Sequence, residues 1–518
     1  MGEKHASPTA TWSSASHVAA QQRPDTPRDH CGIVGVSLET GAASYKIHDA
    51  LFALQHRGQD SAGIATFSTD NGGGGGMRSR VLKGLVEQFD RRRGSLDELR
   101  GSMGIGHVRY CTAGSTGVAD AQPVRVKAGD EEIALAFNGN VANVQQLRDM
   151  LRGERRFNGN GDGEVLAALL ASHLRRGRDI EQAFGELAKQ VDGAYSIVAL
   201  TSRGELAAFR DPHGIRPFSI GRKGGGVMFS SESVALDANG FERWRDMKPG
   251  EMALVSLQGS AQSAEFRQVA TADAAHCMFE FVYFSRPDSV MEGRSVSAVR
   301  RRLGEELART YASGARADLI VPVPDTSRTA AEGISEVMGL PIREGLIKNR
   351  YIHRTFILPT QEERRNGVRL KLNADAEVVR GRDIILVDDS IVRGTTIKDI
   401  VQQLRRAGAG RIEVWITSPP LVSPCFYGID ISNHNELMAS HRTSTEELAA
   451  RIGADRLCYQ TMEGLKRAIG LGDGICTGCL NGVYVTPAAQ RLSDMALGLN
   501  INGRITENKV AAAAYSAP

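Results

Sequence analysis

The segment "RDIILVDDSIVRGTT" at 382–396 restricts the possible folds more than any other stretch. Its apolar run, Ile384 to Val387, is short and rich in β-branched residues, so it reads as a buried strand. That strand ends on paired acids, Asp388 and Asp389, followed by Ser390, Arg393 and Gly394. Thr395 and Thr396 then open a stretch of helical period. Backbone N–H groups in such a loop, with a helix N-terminus behind them, cradle a phosphate dianion. The two carboxylates are acceptors only when ionised, so they suit ribose hydroxyls and Mg²⁺ rather than phosphate.

The surrounding rhythm agrees with that reading. From about 285, helix "VSAVRRRLGEELARTYA" leads to strand "ADLIVPVP" and helix "TAAEGISEVMG". Helix "TIKDIVQQLRRAGA" and strand "RIEVWITSP" come later. Strands alternating with amphipathic helices predict a parallel, doubly wound α/β sheet. A second strand-to-helix turn, "VPVPDTSRTAA" at 321–331, could grip pyrophosphate or a metal ion. The basic, aromatic stretch "KNRYIHRTFILP" at 348–359 reads as a mobile lid, with Lys348, Arg350 and Arg354 able to screen a leaving pyrophosphate.

The first half has a different texture. Residues 31 to about 265 carry short strand-like runs such as "CGIVGVSL", "SAGIATFS" and "GAYSIVALT", with a few helices including "DGEVLAALLASHLRRG". A strand-rich, layered α+β domain follows, with a boundary near 265–285. "GGGGG" at 72–76 reads as a surface insertion, and the chain beyond Pro487 as a poorly ordered tail.

At 518 residues with a net charge of +3, the chain has room for two or three domains and no footprint for nucleic acid or an anionic membrane. No apolar run reaches the roughly 18–20 residues of a membrane span. Seven cysteines in this length do not form a disulfide framework, so a reducing, cytoplasmic setting is expected.

Cys31 begins the ordered part abruptly after thirty polar residues without a signal-like apolar region. If the preceding bond is cut, Cys31 gains an α-amino group of pKa near 7.7–8, a neutral base at physiological pH beside its own thiol. Residues 1–30 then read as a propeptide. Three further motifs supply partners: "GHVRYCTAG" (106–114), "FNGN" (137–140) and "GDGE" (161–164). Arg109 can fork onto a carboxylate, Asn138 and the N–H of Gly139 can serve an oxyanion, and Asp162 can receive an ammonium. An α-carboxylate, an α-amine and an amide to attack together describe glutamine. With "LQHRGQDSAGIA", these motifs resemble the N-terminal-nucleophile glutaminase domain of class II amidotransferases, which implies a four-layer αββα sandwich.

The motif at 382–396 resembles the phosphoribosyltransferase signature for 5-phosphoribosyl-1-pyrophosphate. Together the halves are similar to the glutamine phosphoribosylpyrophosphate amidotransferase family, from about Cys31 to Pro487, including "FVYFSRPDS", "KNRY" and "SPCFYGID". The implied organisation is a propeptide (1–30), a glutaminase domain (31–270), a phosphoribosyltransferase domain (271–487) and a tail (488–518). The resemblance implies that glutamine is hydrolysed at Cys31 and that ammonia crosses an internal tunnel to attack C1 of the ribose. It further implies a coupling role for Tyr110 and one Mg²⁺ per subunit near Thr326, Asp388 and Asp389. Binding of 5-phosphoribosyl-1-pyrophosphate is implied for Asp388, Asp389, Ser390, Arg393, Gly394, Thr395, Thr396 and Lys348. Purine-nucleotide feedback inhibition and a homotetramer or homodimer are expected as well.

Four cysteines of the second half, Cys277, Cys425, Cys476 and Cys479, include a "CTGC" pair. Spacing alone allows a Cys₄ zinc site, a [4Fe–4S] cluster or separate core thiols. The resemblance implies one [4Fe–4S] cluster per subunit on these four, and leaves Cys111 and Cys458 as structural thiols. Departures from the family pattern are His30, where relatives commonly carry Glu, Cys111 in place of Ser, and Thr326 in place of Ser. Two rivals fare worse: a purine-sensing DNA repressor lacks a reason for Cys31, and a glucosamine-6-phosphate synthase lacks "VDDSIVRGTT".

Overall fold

A computed structural model describes residues 31–69, 76–89, 94–110, 120–257, 264–349, 372–431, 433–439, 443–499, 505–506 and 508–510. Residues 1–30, expected to be a propeptide, and Cys111, Arg350 and Arg354 lie outside the described residues.

The first half builds two antiparallel sheets. In chain order the strands are β1 (Gly32–Ser37), β2 (Ser61–Ser68), β3 (Gly76–Lys83), β4 (Met103–Arg109), β5 (Val124–Ala128), β6 (Glu131–Val141) and β7 (Gly193–Thr201). They continue with β8 (Glu205–Arg210), β9 (Ser219–Lys223), β10 (Gly226–Ser230), β11 (Glu242–Asp246), β12 (Glu251–Ser256) and β13 (Glu265–Gln268). One sheet runs β11-β9-β10-β1-β4-β2-β3 and the other β13-β12-β8-β7-β6-β5. Ile33 and Ile105 of the first sheet meet Ala134, Val198 and Leu206 of the second. The opposite face of the first sheet, with Val34 and Val36, packs on α1 (Ala43–Ala53) and α5 (Val234–Ala238). The outer face of the second packs on α2 (Val144–Leu151), α3 (Asp162–Arg175) and α4 (Ile180–Gln190). Successive side chains of a strand point to opposite faces, and both faces here are covered. That is why β1 reads as an unbroken apolar run. The expected αββα sandwich is present.

The second half contains a four-stranded sheet in the order β14 (Leu319–Pro322), β15 (Ile384–Asp388), β16 (Ile412–Ile416) and β17 (Arg456–Tyr459), all parallel. On one face Ile320, Ile385, Val387 and Trp415 pack on α6 (Val296–Tyr311) and α7 (Arg328–Met338). On the other, Ile384, Leu386 and Val414 pack on α8 (Thr395–Arg406) and α9 (Thr445–Ile452). A parallel bridge from Ile320 to Ile342 adds a fifth, short position on the far side of β14. The chain therefore goes from β14 outward to 342 and then returns to β15 on the other side. Strand order reverses between β14 and β15, and in open parallel sheets ligands bind at the carboxyl ends of the strands flanking such a reversal. The doubly wound expectation holds.

The chain beyond Pro487 departs from its reading as a loose tail. Residues Pro487–Ala496 form a helix whose Ala488, Ala489, Leu492 and Ala496 are buried in a core shared by both halves. The Ala488 N–H donates to the Asp192 carboxylate at 2.7 Å. The apolar spacing 488, 489, 492, 496 is helical, and an Ala-rich composition had masked it. Among the described residues no helix is long and apolar enough to cross a membrane.

Candidate active site

The carboxyl end of β4 and the start of β1 lie side by side, because Gly32 pairs with Val108 in the first sheet. That register brings Cys31 next to Arg109 and Tyr110. A cleft is lined by Cys31, Arg109, Tyr110, Gly139, Asn140 and Asp162, with Asp120, Gln122 and Glu164 completing its wall. Cys31 and the three motifs, drawn from residues 31–164, thus meet in one place. The Cys31 thiol donates to the Tyr110 carbonyl at 3.9 Å, and the Arg57 Nε donates to the Cys31 carbonyl at 3.3 Å. Burial pushes the Cys31 thiol up, against the opposing pull of the Tyr110 contact, Arg109 and Arg57. A thiol held in its neutral form needs a base beside it before it can attack.

Gly139 sits in β6 at φ +152°, and a Cβ there would lie 1.9 Å from the Ala194 carbonyl oxygen. Only glycine fits, and so its N–H keeps its place beside the cleft. Asn138 is fully buried and its Nδ2 donates to the Ser231 Oγ at 3.4 Å. It stands beside the cleft rather than in its wall. Asp162 is the first residue of α3, whose cap position is Gly161, and its Oδ2 accepts the Val141 N–H at 2.9 Å. Helix capping is therefore not its task.

Asp120 had no signal in the sequence. Its carboxylate lies 3.7 Å from Arg109 and accepts the N–H groups of Asn160 and Gly161, both at 3.0 Å. One acid thus holds the guanidinium and the loop that carries Asp162. Equally unforeseen is a buried ion network. Arg57 bonds Glu232 at 2.5 Å and Glu280 at 2.7 Å, and Arg216 reaches Glu280 at 3.4 Å. Glu280 begins a π-helical turn, Glu280–Phe284, in the segment joining the halves. Arg57 in "LQHRGQD" carried the only hint, a cation at the end of an apolar helical stretch.

The second site forms at the β14/β15 reversal. Thr326 Oγ1 donates to Asp389 at 2.6 Å, and Ser327 Oγ to Asp388 at 3.3 Å. Ser390 Oγ donates to Asp389 at 2.7 Å, and the Asp389 N–H to Asp388 at 2.9 Å. Burial pushes the Asp389 carboxyl up, while Thr326, Ser390 and Arg300 pull it down. Gly394 caps α8 at φ +79°, where a Cβ would lie 2.1 Å from the Met438 sulfur. Thr395 and Thr396 are the first two residues of that helix. Lys348 pairs with Asp325 in the turn after β14, which brings it to the same strand ends. Arg393 pairs with Glu436.

The four cysteines of the second half share one buried core. Short parallel strands His276–Cys277 and Ile475–Cys476 place Cys277 opposite Cys476. The Cys479 carbonyl accepts N–H groups from Val422 at 3.0 Å and Ser423 at 3.2 Å, which ties in the loop carrying Cys425. Burial pushes the Cys277 thiol up to about 12 and the Cys476 and Cys479 thiols higher, with the neighbouring thiols adding to it. Cys458 lies apart, in the core beneath α6 and α7. Among the described residues no three His, Cys, Asp or Glu side chains form a ready site for a metal ion.

A family model for the glutamine amidotransferase domain matches residues 107–238. Over 473 residues the chain is 44% identical to the amidophosphoribosyltransferase of Methanothermobacter thermautotrophicus, taking in 90% of this chain and 97% of that relative. It is 40% identical over 471 residues to the Bacillus subtilis amidophosphoribosyltransferase, with 89% and 95% covered. The solved structure of the B. subtilis glutamine phosphoribosylpyrophosphate amidotransferase complexed with ADP and GMP matches with a TM-score of 0.80 at 38% identity, covering 88% of this chain and 98% of that one. Similarity that deep, carried through both halves, leaves no room for a shared domain on an unrelated enzyme: the chain belongs to the amidophosphoribosyltransferases, which use glutamine to aminate 5-phosphoribosyl-1-pyrophosphate in the first step of purine biosynthesis.

Proposed function

We propose that residues 1–30 are removed and that the freed α-amine of Cys31 takes the proton of its own thiol. The meeting of Cys31, Arg109, Gly139 and Asp162 around one cleft carries this reading. Sulfur attacks the side-chain amide carbon of glutamine, whose α-carboxylate lies on Arg109 and whose ammonium lies on Asp162. The Gly139 N–H and the Asn138 amide receive the oxyanion. The α-ammonium returns its proton to the departing nitrogen, ammonia leaves, and water releases glutamate from the sulfur.

Ammonia then attacks C1 of the ribose, pyrophosphate departs and 5-phosphoribosylamine forms. In neutral water ammonia is mostly ammonium, which has no lone pair to attack with, so the route between the sites must exclude water. The apolar core joining the halves, with Phe279, Val282 and Phe284, supports such a passage. Tyr110 borders the nucleophile through its carbonyl, a position suited to relaying occupancy of one site to the other. Ser390, Arg393, Gly394, Thr395, Thr396 and Lys348 hold the phosphates, and Asp388 and Asp389 the ribose hydroxyls.

The hard oxygen donors at the strand ends, Thr326, Asp388 and Asp389, fit one Mg²⁺ per subunit. The ion would neutralise the charge on the leaving pyrophosphate. Cys277, Cys425, Cys476 and Cys479 fit one structural [4Fe–4S] cluster per subunit. Four-thiolate ligation is usual for that group, and three segments already stitched together by backbone bonds would surround it. We further assign the chain to the cytoplasm, as a homodimer or homotetramer inhibited by purine nucleotides. The nucleotides in the B. subtilis complex support the last point.

Intact-mass measurement of the active enzyme tests the reading directly. The mature chain should begin at Cys31, and Cys31→Ala should abolish glutamine-dependent product while sparing ammonia-dependent product. A fully active enzyme that keeps His30 attached, or loss of both routes in the variant, would overturn it.

A further inference from the structure

We propose that Ser231 is a positioning residue for glutamine hydrolysis, holding both the nucleophile's strand and the oxyanion amide through one hydroxyl. This inference rests on the assignment of Cys31 and Asn138 made above. Ser231 follows β10 directly and is fully buried. Its N–H donates to the Ile33 carbonyl at 3.1 Å, and its Oγ accepts the Ile33 N–H at 3.0 Å. Ile33 lies two residues from Cys31, so this double clamp sets where the nucleophile's strand begins. The same Oγ meets the Asn138 Nδ2 at 3.4 Å, across 93 residues of chain.

That second contact leaves an imbalance. Asn138 is fully buried, and its Oδ1 has no hydrogen-bond partner among the described residues. A buried acceptor without a donor is costly, and the hydrogen-bond network decides which end of a side-chain amide carries the protons. Turning the amide over removes the cost. The Ser231 hydroxyl then donates to Oδ1 and still accepts the Ile33 N–H, and both Nδ2 protons are released from Ser231. The donor end is thereby left for the charge that develops on the glutamine carbonyl oxygen. Ser231 does not touch the reacting atoms. It selects the amide orientation in which Asn138 can act, and it ties that choice to the strand bearing the sulfur.

Five enzymes, each assayed as the whole chain, test this: the parent, Ser231→Ala, Ser231→Thr, Asn138→Ala and the double variant Ser231→Ala/Asn138→Ala. Ser231→Ala should lower the glutamine-dependent kcat by about 10- to 100-fold, less than the loss of an oxyanion donor itself. Its KM for glutamine should stay within about twofold, and its ammonia-dependent rate should match the parent. Because Ser231 acts through Asn138, the double variant should be no slower than Asn138→Ala alone. Ser231→Thr, which keeps the hydroxyl, should recover most of the rate. If Asn138→Ala is impaired while Ser231→Ala is not, or if the two losses multiply, the positioning role is refuted and the oxyanion assignment stands. A parent-like Asn138→Ala removes the oxyanion assignment itself. Equal losses of the glutamine- and ammonia-dependent rates in both Ser231 variants would mark a purely structural residue and also refute the role.

Discussion

Replacing Glu280 by Gln preserves shape and removes one charge from the interior between the halves. The native carboxylate accepts from Arg57 at 2.7 and 3.0 Å, from Arg216 at 3.4 Å and from the Ser285 hydroxyl at 2.7 Å. A glutamine offers one acceptor oxygen, and its NH₂ would face donors. Removing one partner of a buried ion pair costs about 3–5 kcal/mol. Arg57 keeps Glu232 at 2.5 Å, which places the expected loss near the lower end, about 3 kcal/mol. At an m-value of about 3 kcal/mol per M, the urea midpoint should fall by about 1 M. Fluorescence follows it, with Trp244 reporting from the sandwich and Trp415 from the parallel sheet. The sign with pH is also set. Burial alone would raise the Glu280 carboxyl, but Arg57 and Arg216 more than offset it and hold it below the usual range. Its contribution is therefore present above the unfolded pKa and is lost as pH falls through the lowered one. The gap between parent and Glu280→Gln should narrow below about pH 4. A gap under about 1 kcal/mol at pH 7, or one that widens with acid, would refute the reasoning.

Three further outcomes are expected. Asp388→Ala should cut both glutamine- and ammonia-dependent rates by at least about 100-fold, because both routes end at the same ribose; an active variant would exclude Asp388 from the site. Burial, reinforced by Arg109, lowers the His107 pKa from 6.5 to about 3, so below pH 6.5 the unfolded chain binds a proton that the folded chain refuses. The parent should lose up to about 1.4 kcal/mol of stability per pH unit in that window, and urea titrations of His107→Gln should show a shallower acid limb. Anaerobically purified protein should carry about four irons and four inorganic sulfides per chain, and one equivalent of zinc instead would overturn the cluster.

Much of the cleft around Cys31 was legible because its residues come from short local motifs. Cys31, Arg109 and Asp162 stand at a strand or helix end, where sequence patterns change abruptly, and Gly139 lies near the end of β6. Asp120 was not legible. It lies in no periodic segment, and its role depends on Arg109 and the 160–161 loop arriving beside it. The Arg57–Glu232–Glu280 network escaped for a similar reason, since its members are 175 and 223 residues from Arg57. Helix Pro487–Ala496 was missed because alanine-rich apolar faces resemble an unstructured tail until something packs on them.

By itself the amino-acid order determined the two kinds of sheet and the strand-to-helix turn at 388–396. These follow from periodicity and side-chain chemistry, which act over a few residues. Tertiary structure alone decided that strand order reverses between β14 and β15, that four distant cysteines share one core, and that a carboxylate from the second half neutralises arginines of the first. Such pairings are chosen by the cost of burying charge and polar groups unpaired, and that cost does not exist until the chain has closed around them.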